Sequence, residues 1–598
     1  MVLAGAGSGK TKVLTHRVAY FISQGLIKPE NALLLTFTNK AAGEMKERIS
    51  VLTNGNPPFS GTFHSFCAKV LRIDGRHIGI PVNFIIYDEQ DQKDAVKQIL
   101  EKMDLSTDQY NPAAILSGIS EAKNQMIGPE EYKEFIRSEW QEVVAKVYTE
   151  YEKMLKEIGA LDFDDLLIKT VKLFKDVPEV LEKWQRTLTH IFIDEWQDTN
   201  KIQYALTKQL VGKRKNITAV GDASQSIYSW RGADFRNINY LIRDYPNVKI
   251  INLEQNYRST QNILDAANLV ISKNTTHPIL KLWTEKAAGA KIKLYAARNG
   301  FDEADFVVSE IEMLLTIGKK YSDIAVLYRT NAQSRVLEEA FLHAGIPYTL
   351  VGGVRFYDRK EIKDVVSYIK FLVNPKDSVS RKRIEKIGLR RFEKLKEMGA
   401  IEGMTTLDIL DTVIQKTDYM ALFQKESEEN LARLENIKEL RSVATEFPDI
   451  NEFLENVALV ESSNKPISKS TNVVTLMTLH AAKGLEFPVI FIVGMEEGLF
   501  PHSRSLMDTN QLEEERRLAY VGITRAKELL YLTYANSRLY FGEKISNPPS
   551  RFVMDIPENL IENLGGNIYK SVDDLSSGAL AQEDIKGTFD DIIEKYLK

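Results

Sequence analysis

Cysteine is almost absent from this chain of 598 residues, which contains only Cys67. A single thiol excludes an internal disulfide and any metal cluster built from several cysteines. The chain also lacks an apolar run of the roughly 18–20 residues that a membrane-spanning helix needs. No signal-peptide pattern opens the chain. We therefore expect a protein of the reducing cytoplasm that has no membrane partner.

An excess of positive charge is also missing. The chain has 78 Lys and Arg against 83 Asp and Glu, which gives a formal net charge of −5. The field of the whole protein therefore does not attract nucleic acid, and any such binding must come from local basic clusters and stacking aromatic rings. The length predicts about four domains of about 150 residues each.

The first eleven residues carry the clearest motif. A short apolar run leads into a loop of small residues that ends in Gly9-Lys10-Thr11, and an amphipathic stretch follows. This order predicts a strand, a phosphate-binding loop and a helix. We expect Gly5, Gly7 and Gly9 to adopt positive φ, so that backbone N–H groups face a polyphosphate. Lys10 is expected to contact the β- and γ-phosphates, and Thr11 to bind Mg²⁺.

The loop departs from the general pattern at one position, because Ala4 stands where glycine is usual, six residues before the lysine. An ordinary strand–helix turn rich in small residues is the alternative interpretation. The predicted nucleotide-binding residues of this loop are Ala4, Gly5, Ala6, Gly7, Ser8, Gly9, Lys10, Thr11 and Lys12.

Short apolar runs predict buried strands, and charged helical stretches separate them. The strands are expected at residues 33–37, 190–195, 217–222, 323–328, 473–478 and 488–493. The pattern predicts an α/β fold in which two cores are each interrupted by a helical insertion. The predicted domains are residues 1–72 and 184–256 for the first core, 73–183 for its insertion, 257–365 and 469–560 for the second core, 366–468 for its short insertion, and 561–598 for a tail.

Several polar residues follow the predicted strands at positions where a nucleotide site needs them. Asp194 and Glu195 end one strand, and we expect Asp194 to hold Mg²⁺ and Glu195 to deprotonate the attacking water. Gln225 follows the next strand, where its amide could sense a γ-phosphate. Arg258 and Arg525 could stabilise transition-state charge from the second core. As an alternative, acids at strand ends are often merely solvated, and a lone arginine is usually a surface residue.

Aromatic residues near Gln225 suggest nucleic-acid binding. Tyr228 and Trp230 lie in a loop beside Arg231, which is typical of base stacking. The alternative is a hydrophobic contact between domains. A separate cluster of acids, Asp162, Asp164 and Asp165, is either a metal site or a helix start whose acids complement the helix dipole, and the second interpretation is favoured.

The motifs together resemble the UvrD/PcrA/Rep-type superfamily 1 DNA helicases, over residues 1 to about 555. The matching stretches are residues 1–11, 35–42, 61–66, 194–198, 220–233, 253–259, 352–356, 478–487 and 515–526. The resemblance implies two RecA-like P-loop motor domains, each interrupted by a helical insertion domain. It implies an ATP- and Mg²⁺-dependent enzyme that moves 3′ to 5′ along single-stranded DNA and unwinds duplex DNA in repair or replication restart. Repair or replication proteins are the implied partners.

The resemblance also assigns residues. Lys10, Thr11, Asp194, Glu195, Gln225, Arg258, Glu486 and Arg525 would line the ATP site, and Tyr257 would stack on adenine. The single-stranded DNA would contact a second set, called here the predicted DNA surface, which consists of Phe37, His64, Tyr228, Trp230, His480, His502 and Phe541.

This chain departs from the family pattern in three ways. The family has a preceding segment whose glutamine reads adenine, and this chain starts after it. We therefore expect weaker ATP binding or looser selectivity for the base. Residues 386–389 retain only a remnant of the glycine hairpin that grips duplex DNA, and no basic C-terminal extension is evident. Two alternatives remain open: a helicase subunit of a helicase–nuclease complex, and an inactive helicase fragment that binds DNA.

Overall fold

The computed structural model describes residues 1–55, 57–107, 109–399, 401–423, 428–462 and 472–565. Two parallel sheets organise these residues. The strands predicted from the sequence are confirmed, each within two residues at either end. Among the described residues, none of the helices combines the length and the apolar character needed to cross a bilayer.

The first sheet is built from the amino-terminal part of the chain. The strands up to residue 253 are β1 (Val2–Ala4), β2 (Ala32–Thr36), β3 (Phe59–Thr62), β4 (Ile85–Ile86), β5 (Ala160–Leu161), β6 (His190–Ile193), β7 (Ile217–Gly221) and β8 (Ile251–Leu253). The helices of this part are α1 (Lys10–Ser23), α2 (Asn39–Leu52), α3 (Phe63–Asp74), α4 (Glu89–Lys102), α5 (Pro112–Asn124), α6 (Pro129–Tyr132), α7 (Glu139–Ile158), α8 (Phe163–Asp176), α9 (Pro178–Thr187), α10 (Lys201–Val211) and α11 (Asn237–Asp244).

Six of these strands form the first sheet in the order β3-β2-β6-β7-β1-β8, and all its pairs are parallel. All five residues of β2 are buried, which is typical of a parallel strand covered by helices on both faces. Thr38 caps α2, since its side chain accepts a hydrogen bond from the N–H of Ala41. Because β1 lies between β7 and β8, the loop after β1 lies beside the carboxyl ends of its neighbours.

The first insertion is smaller than the sequence predicts. Helices α4, α5 and α7 share a hydrophobic core of their own. Leu166, Val171 and Phe174 of α8 and Trp184 of α9 instead pack in the cluster that contains β2 and β6. This corrects the assignment of residues 163–183 to the insertion. Helical periodicity shows that a helix is amphipathic but does not show which core its apolar face covers.

The second sheet and its insertion occupy the rest of the described chain. The strands are β9 (Ile292–Ala297), β10 (Ile324–Tyr328), β11 (Tyr348–Val351), β12 (Val474–Thr478), β13 (Phe487–Ile492), β14 (Ala526–Ala535), β15 (Arg538–Tyr540), β16 (Glu543–Ile545) and β17 (Ile561–Gly565). The helices are α12 (Gln261–Ile271), α13 (Gly300–Thr316), α14 (Ser334–His343), α15 (Lys360–Val373), α16 (Ser378–Ile387), α17 (Leu389–Lys396), α18 (Thr406–Thr417), α19 (Glu428–Glu446), α20 (Ile450–Ser462), α21 (Thr509–Ile523) and α22 (Arg551–Met554).

The second sheet is also wholly parallel, in the order β11-β12-β10-β13-β14-β9-β17. Strands β15 and β16 form a separate antiparallel hairpin. Residues 561–565, which the sequence assigned to the tail, form the edge strand β17 paired with β9, because Ile561 is buried against the sheet. The rest of the predicted tail, 566–598, lies outside the described residues.

Candidate nucleotide and DNA site

The glycine loop connects β1 to α1 as predicted, and its glycines serve two different purposes. Gly7 and Gly9 have φ of 65° and 89°, the left-handed region that favours glycine. The prediction of positive φ is wrong for Gly5. A side chain at Gly5 would instead collide with Leu282, whose Cδ2 atom would lie 2.2 Å from the added Cβ. Gly5 is thus required for close packing against the segment that leads into the second sheet.

Lys10 is the first residue of α1 and points back over the loop. Its Nζ atom donates to the carbonyl oxygens of Ala4 at 3.2 Å and Gly5 at 3.4 Å. Burial lowers the pKa of Lys10, although Glu195 and Asp222 nearby act in the opposite direction. A partly buried ammonium group held by carbonyl oxygens is suited to an incoming phosphate. Lys12 lies on the exposed side of the same helix turn.

The two acids after β6, Asp194 and Glu195, contact different residues. The Thr11 hydroxyl donates to Asp194 Oδ2 at 2.9 Å, so the two residues predicted to hold Mg²⁺ are in contact. Burial, together with the charge of Glu195, raises the pKa of Asp194 to about 7. These hard oxygens fit Mg²⁺, which is usually held by one or two carboxylates together with phosphate oxygens and water.

Glu195 lies at the start of the loop after β6, with φ of 51°. Burial alone would raise the pKa of Glu195, but the charges of Lys10 and Lys483 lower it. The side-chain amide of Gln197 donates to its carboxylate. An ionised carboxylate held in this way can accept a proton from a water molecule.

Gln225 lies close to the nucleotide site, but its side-chain amide is already hydrogen-bonded to another residue. Its Nε2 atom donates to Asp222 Oδ2 at 2.6 Å. The backbone carbonyl oxygen of Gln225 accepts a hydrogen bond at 2.7 Å from the Nζ atom of Lys483, which follows β12 of the second sheet. Lys483 also forms an ion pair with the buried Asp198. The side chain of Gln225 would have to leave Asp222 in order to contact a γ-phosphate.

Two arginines, Arg258 and Arg525, lie at the cleft between the sheets. Arg258 donates to Glu486 Oε2 at 2.6 Å and to the carbonyl oxygen of Thr524 at 3.0 Å. Arg525 donates to the carbonyl oxygens of Val521 and Leu485, at 2.9 and 3.3 Å. Burial, followed by the charge of Arg258, lowers the pKa of Arg525 to about 9. Two cations side by side attract an anion such as a triphosphate.

Tyr257 stands at the open side of the loop. Its backbone N–H donates to the carbonyl oxygen of Gly7 at 3.0 Å, and 64% of the residue is exposed. Its hydroxyl is hydrogen-bonded to Gln255 Oε1 at 3.0 Å. The ring is therefore anchored beside the phosphate loop with a face available to a base.

The predicted DNA surface divides into two groups of residues. In the first, the rings of Phe37 and Tyr228 are stacked with centroids 5.6 Å apart, and Trp230 lies at a steep angle 6.5 Å from Tyr228. The Tyr228 hydroxyl donates to the carbonyl oxygen of His480 at 3.4 Å. Trp230 is 47% exposed, so this cluster offers a ring to solvent. Tyr228 and His480 thus bring the two sheets together at this surface.

His64 has an aromatic neighbour that the sequence analysis did not single out. The ring of Phe163, the first residue of α8, lies 5.8 Å from that of His64 at 80°. Phe163 is 48% exposed. In the sequence, Phe163 stands among the acids of a predicted helix start. Nothing in the neighbouring residues indicates that its ring contacts His64.

The second group lies against α19 of the second insertion. His502 is only 8% exposed, and its Nε2 atom lies 3.1 Å from Glu435 Oε1. Phe541 lies at the tip of the β15–β16 hairpin with φ of 58°. The structure does not bring either residue into ring contact with Phe37, Tyr228 or Trp230 among the aromatic pairs of the described chain.

The acids at the start of α8 are satisfied by protein groups. Asp162 caps the helix, and Lys123 forms ion pairs with Asp162 at 2.7 Å and Asp165 at 3.0 Å. Ser120 donates to Asp164 at 2.6 Å. These contacts support the interpretation as a helix start.

Two parallel sheets, a glycine loop at the carboxyl edge of one and arginines entering from the other define a two-motor P-loop protein. Comparison with protein families agrees with this class. Residues 1–246 match the UvrD/REP helicase N-terminal domain, and residues 251–439 and 415–537 match the UvrD-like helicase C-terminal domain. The chain belongs to the UvrD/Rep helicase family.

Individual relatives are similar over most of their length. The ATP-dependent DNA helicase PcrA of Bacillus subtilis is 46% identical over 623 residues, which cover 94% of this chain and 84% of the relative. The PcrA helicase of Staphylococcus epidermidis is 44% identical over 629 residues, which cover 96% of this chain and 86% of the relative.

Proposed function

We propose that this protein is an ATP-dependent DNA helicase that moves 3′ to 5′ along single-stranded DNA and unwinds duplex DNA in repair or replication. The similarity to the PcrA helicases supports the activity and the DNA substrate. One observation carries the mechanism. Lys483 of the second motor bonds to Asp198 and to the Gln225 carbonyl at the nucleotide site, and its Nζ lies 4.8 Å from the ring centroid of Tyr228.

In the proposed hydrolysis step, the loop of residues 4–12 holds the ATP phosphates. Lys10 exchanges the Ala4 and Gly5 carbonyls for phosphate oxygens, and Tyr257 stacks on the base. Glu195 accepts the proton of the attacking water, while Arg258 and Arg525 stabilise the charge that develops on the γ-phosphate. Thr11 and Asp194 would hold Mg²⁺, which neutralises phosphate charge when it is bound.

The proposed coupling step follows from the position of Lys483. Closure of the two arginines on the γ-phosphate moves the second sheet relative to the first. Lys483 and Tyr228 connect that movement to the stacked rings of Phe37 and Tyr228, where a base would lie. Base stacking on aromatic side chains is tolerant of sequence, as translocation along arbitrary DNA requires.

The test is steady-state ATP hydrolysis by this chain with and without single-stranded DNA or RNA. We expect strong stimulation by DNA and loss of hydrolysis in Lys10→Ala. Lys28→Ala serves as the matched control, because Lys28 is an exposed lysine just beyond α1. Polarity is measured by the arrival of the protein at a fluorophore placed at either end of a DNA strand. An ATPase that is indifferent to DNA would refute the proposal.

A further inference from the structure

Helix α19 has two faces that serve different partners. Ile437, Leu440 and Val443 pack in the core of the second insertion. Glu435, Lys438, Glu439 and Ser442, spaced three and four residues apart, lie along a second face that contacts the second motor. This second face is called here the polar face of α19. Its partners include two residues of the predicted DNA surface.

The first of these partners is His502. The His502 Nδ1 atom accepts a hydrogen bond from the N–H of Arg504 at 3.4 Å, so Nε2 carries the hydrogen and donates to Glu435 Oε1 at 3.1 Å. Burial alone would raise the pKa of Glu435, but the hydrogen bond from His502 lowers it. The ring of His502 is therefore fixed at both nitrogens, and one of the two contacts comes from the second insertion.

Glu435 also reaches α21 through His502. The backbone N–H of His502 donates at 3.0 Å to Glu515 on α21, and Glu515 accepts from Arg329 at 2.9 Å. Helix α21 ends two residues before Arg525 of the nucleotide cleft. A rigid connection thus runs from the polar face of α19, through His502, to the helix that leads into the cleft.

The second partner is the tip of the β15–β16 hairpin. Arg441 Nη1 donates to the Phe541 carbonyl oxygen at 2.8 Å, and the N–H of Gly542 donates to Ser442 Oγ at 3.2 Å. Lys438 lies over the Phe541 ring, 5.1 Å from its centroid. These contacts hold Phe541 in a left-handed backbone conformation that is uncommon for a bulky residue.

From these contacts we infer that α19 positions the second motor's share of the predicted DNA surface, with Glu435 and Arg441 as positioning residues for His502 and Phe541. The inference rests on the proposed function. Groups that are held in place before binding lose less conformational entropy when the strand arrives, so DNA binds more tightly. The polar face thus makes the second insertion part of the DNA-binding apparatus, through residues that need not touch DNA.

The experiment measures the concentration of single-stranded DNA that gives half-maximal stimulation of ATP hydrolysis. In Glu435→Ala this concentration should rise roughly fivefold, because a hydrogen bond to a charged group is lost. Hydrolysis without DNA and the KM for ATP should stay unchanged, because Arg329 and the backbone N–H of His502 still hold Glu515 on α21. Glu435→Gln keeps an oxygen acceptor for His502 and should restore most of the DNA response. Arg441→Ala should raise this DNA concentration by a similar factor, because Phe541 at the tip of the hairpin loses the hydrogen bond from Arg441.

Glu429→Ala is the matched control, because Glu429 lies on α19 with its side chain 55% exposed and forms an ion pair with Arg433 on the same helix. Combining Glu435→Ala with His502→Ala should add little to His502→Ala alone, since one residue acts through the other. An unchanged DNA concentration in Glu435→Ala, equal effects in Glu429→Ala, or additive effects in the double variant would overturn the inference. If DNA fails to stimulate the unaltered chain, the proposed function fails, and the inference fails with it.

Discussion

Two cations of the nucleotide cleft, Lys10 and Arg525, and the cations in the seams between motors and insertions are arranged in opposite ways. In the seams, Arg335 is 1% exposed and meets three carboxylates, those of Glu339, Glu439 and Glu446. Burial alone would lower the pKa of Arg335, but these charges raise it well above its ordinary value. In the cleft, Lys10 and Arg525 bond to carbonyl oxygens, and burial lowers the pKa of both.

The difference separates a structural ion cluster from a binding site. Lys123 in the first insertion repeats the pattern of Arg335, with Glu152, Asp162 and Asp165 as partners. A cation that several buried carboxylates already surround gains little when a further anion arrives. A cation that burial pushes toward neutrality gains most when an anion arrives, which is why such groups mark functional sites.

The largest expected effect is that of Lys10→Ala on ATP hydrolysis. Removing the lysine should lower kcat by at least ~10³-fold, as expected for loss of a cation that stabilises the transition state. The thermal midpoint should change little, because burial disfavours the Lys10 charge and Glu195 keeps Lys483 as a second counter-charge. Steady-state hydrolysis and thermal denaturation of the same samples test this contrast. A large loss of stability would show that Lys10 is a structural cation after all.

At the seam we expect stability to be lost while hydrolysis is retained. Arg335→Met should lower the free energy of unfolding by about 3 kcal/mol, because it leaves buried carboxylates without a counter-charge. Hydrolysis per folded molecule in the absence of DNA should be retained. Arg381→Ala, which breaks the exposed pair with Glu385, is the matched control and should cost less than about 0.5 kcal/mol. Equal effects of the two substitutions in denaturant titrations would contradict the comparison.

The sequence predicts the cleft far better than the seams. The glycine loop, the acids after β6 and most strands could be predicted because each depends on residues close together in the chain. The Arg335 cluster could not, because Glu439 lies 104 residues away and nothing local indicates the pairing. For the same reason, the sequence assigns α8 to the wrong core and does not reveal that His502 and Phe541 lie against α19.

Asp194 is a buried acid of the cleft, and its effect on the stability of the protein should depend on pH. Burial raises its pKa to about 7 in the folded protein, so the folded state binds more protons at this group than the unfolded chain does. Stability from this group is therefore greatest at low pH and is lost as the pH rises from about 4 to about 7. Asp194→Asn should remove that loss.

The measurement is denaturant unfolding of Asp194→Asn and of the unaltered chain, without nucleotide, between pH 5 and pH 8. At pH 8 the variant should be more stable by on the order of 2 kcal/mol, and the difference should shrink toward pH 5. Asp244→Asn is the control. The hydrogen bond from Lys208 lowers the pKa of Asp244, so this variant should be less stable than the unaltered chain, by an amount that does not change between pH 5 and pH 8. A constant difference across this range would contradict the assignment to Asp194.

The smallest effect is expected where a seam meets the predicted DNA surface. Asp162 and Lys123 fix the start of α8, and the first residue of that helix, Phe163, places its ring beside His64. Phe163→Ala should therefore weaken single-stranded DNA binding by about 1 kcal/mol, the lower end of what one stacked base contributes. Hydrolysis without DNA should not change, since the ring lies outside the cleft.

Phe135→Ala is the matched control: Phe135 follows α6 and is 52% exposed, against 48% for Phe163. Equal binding by the two variants in a fluorescence titration would mean that the seam at the start of α8 anchors only the fold and that Phe163 does not contact DNA.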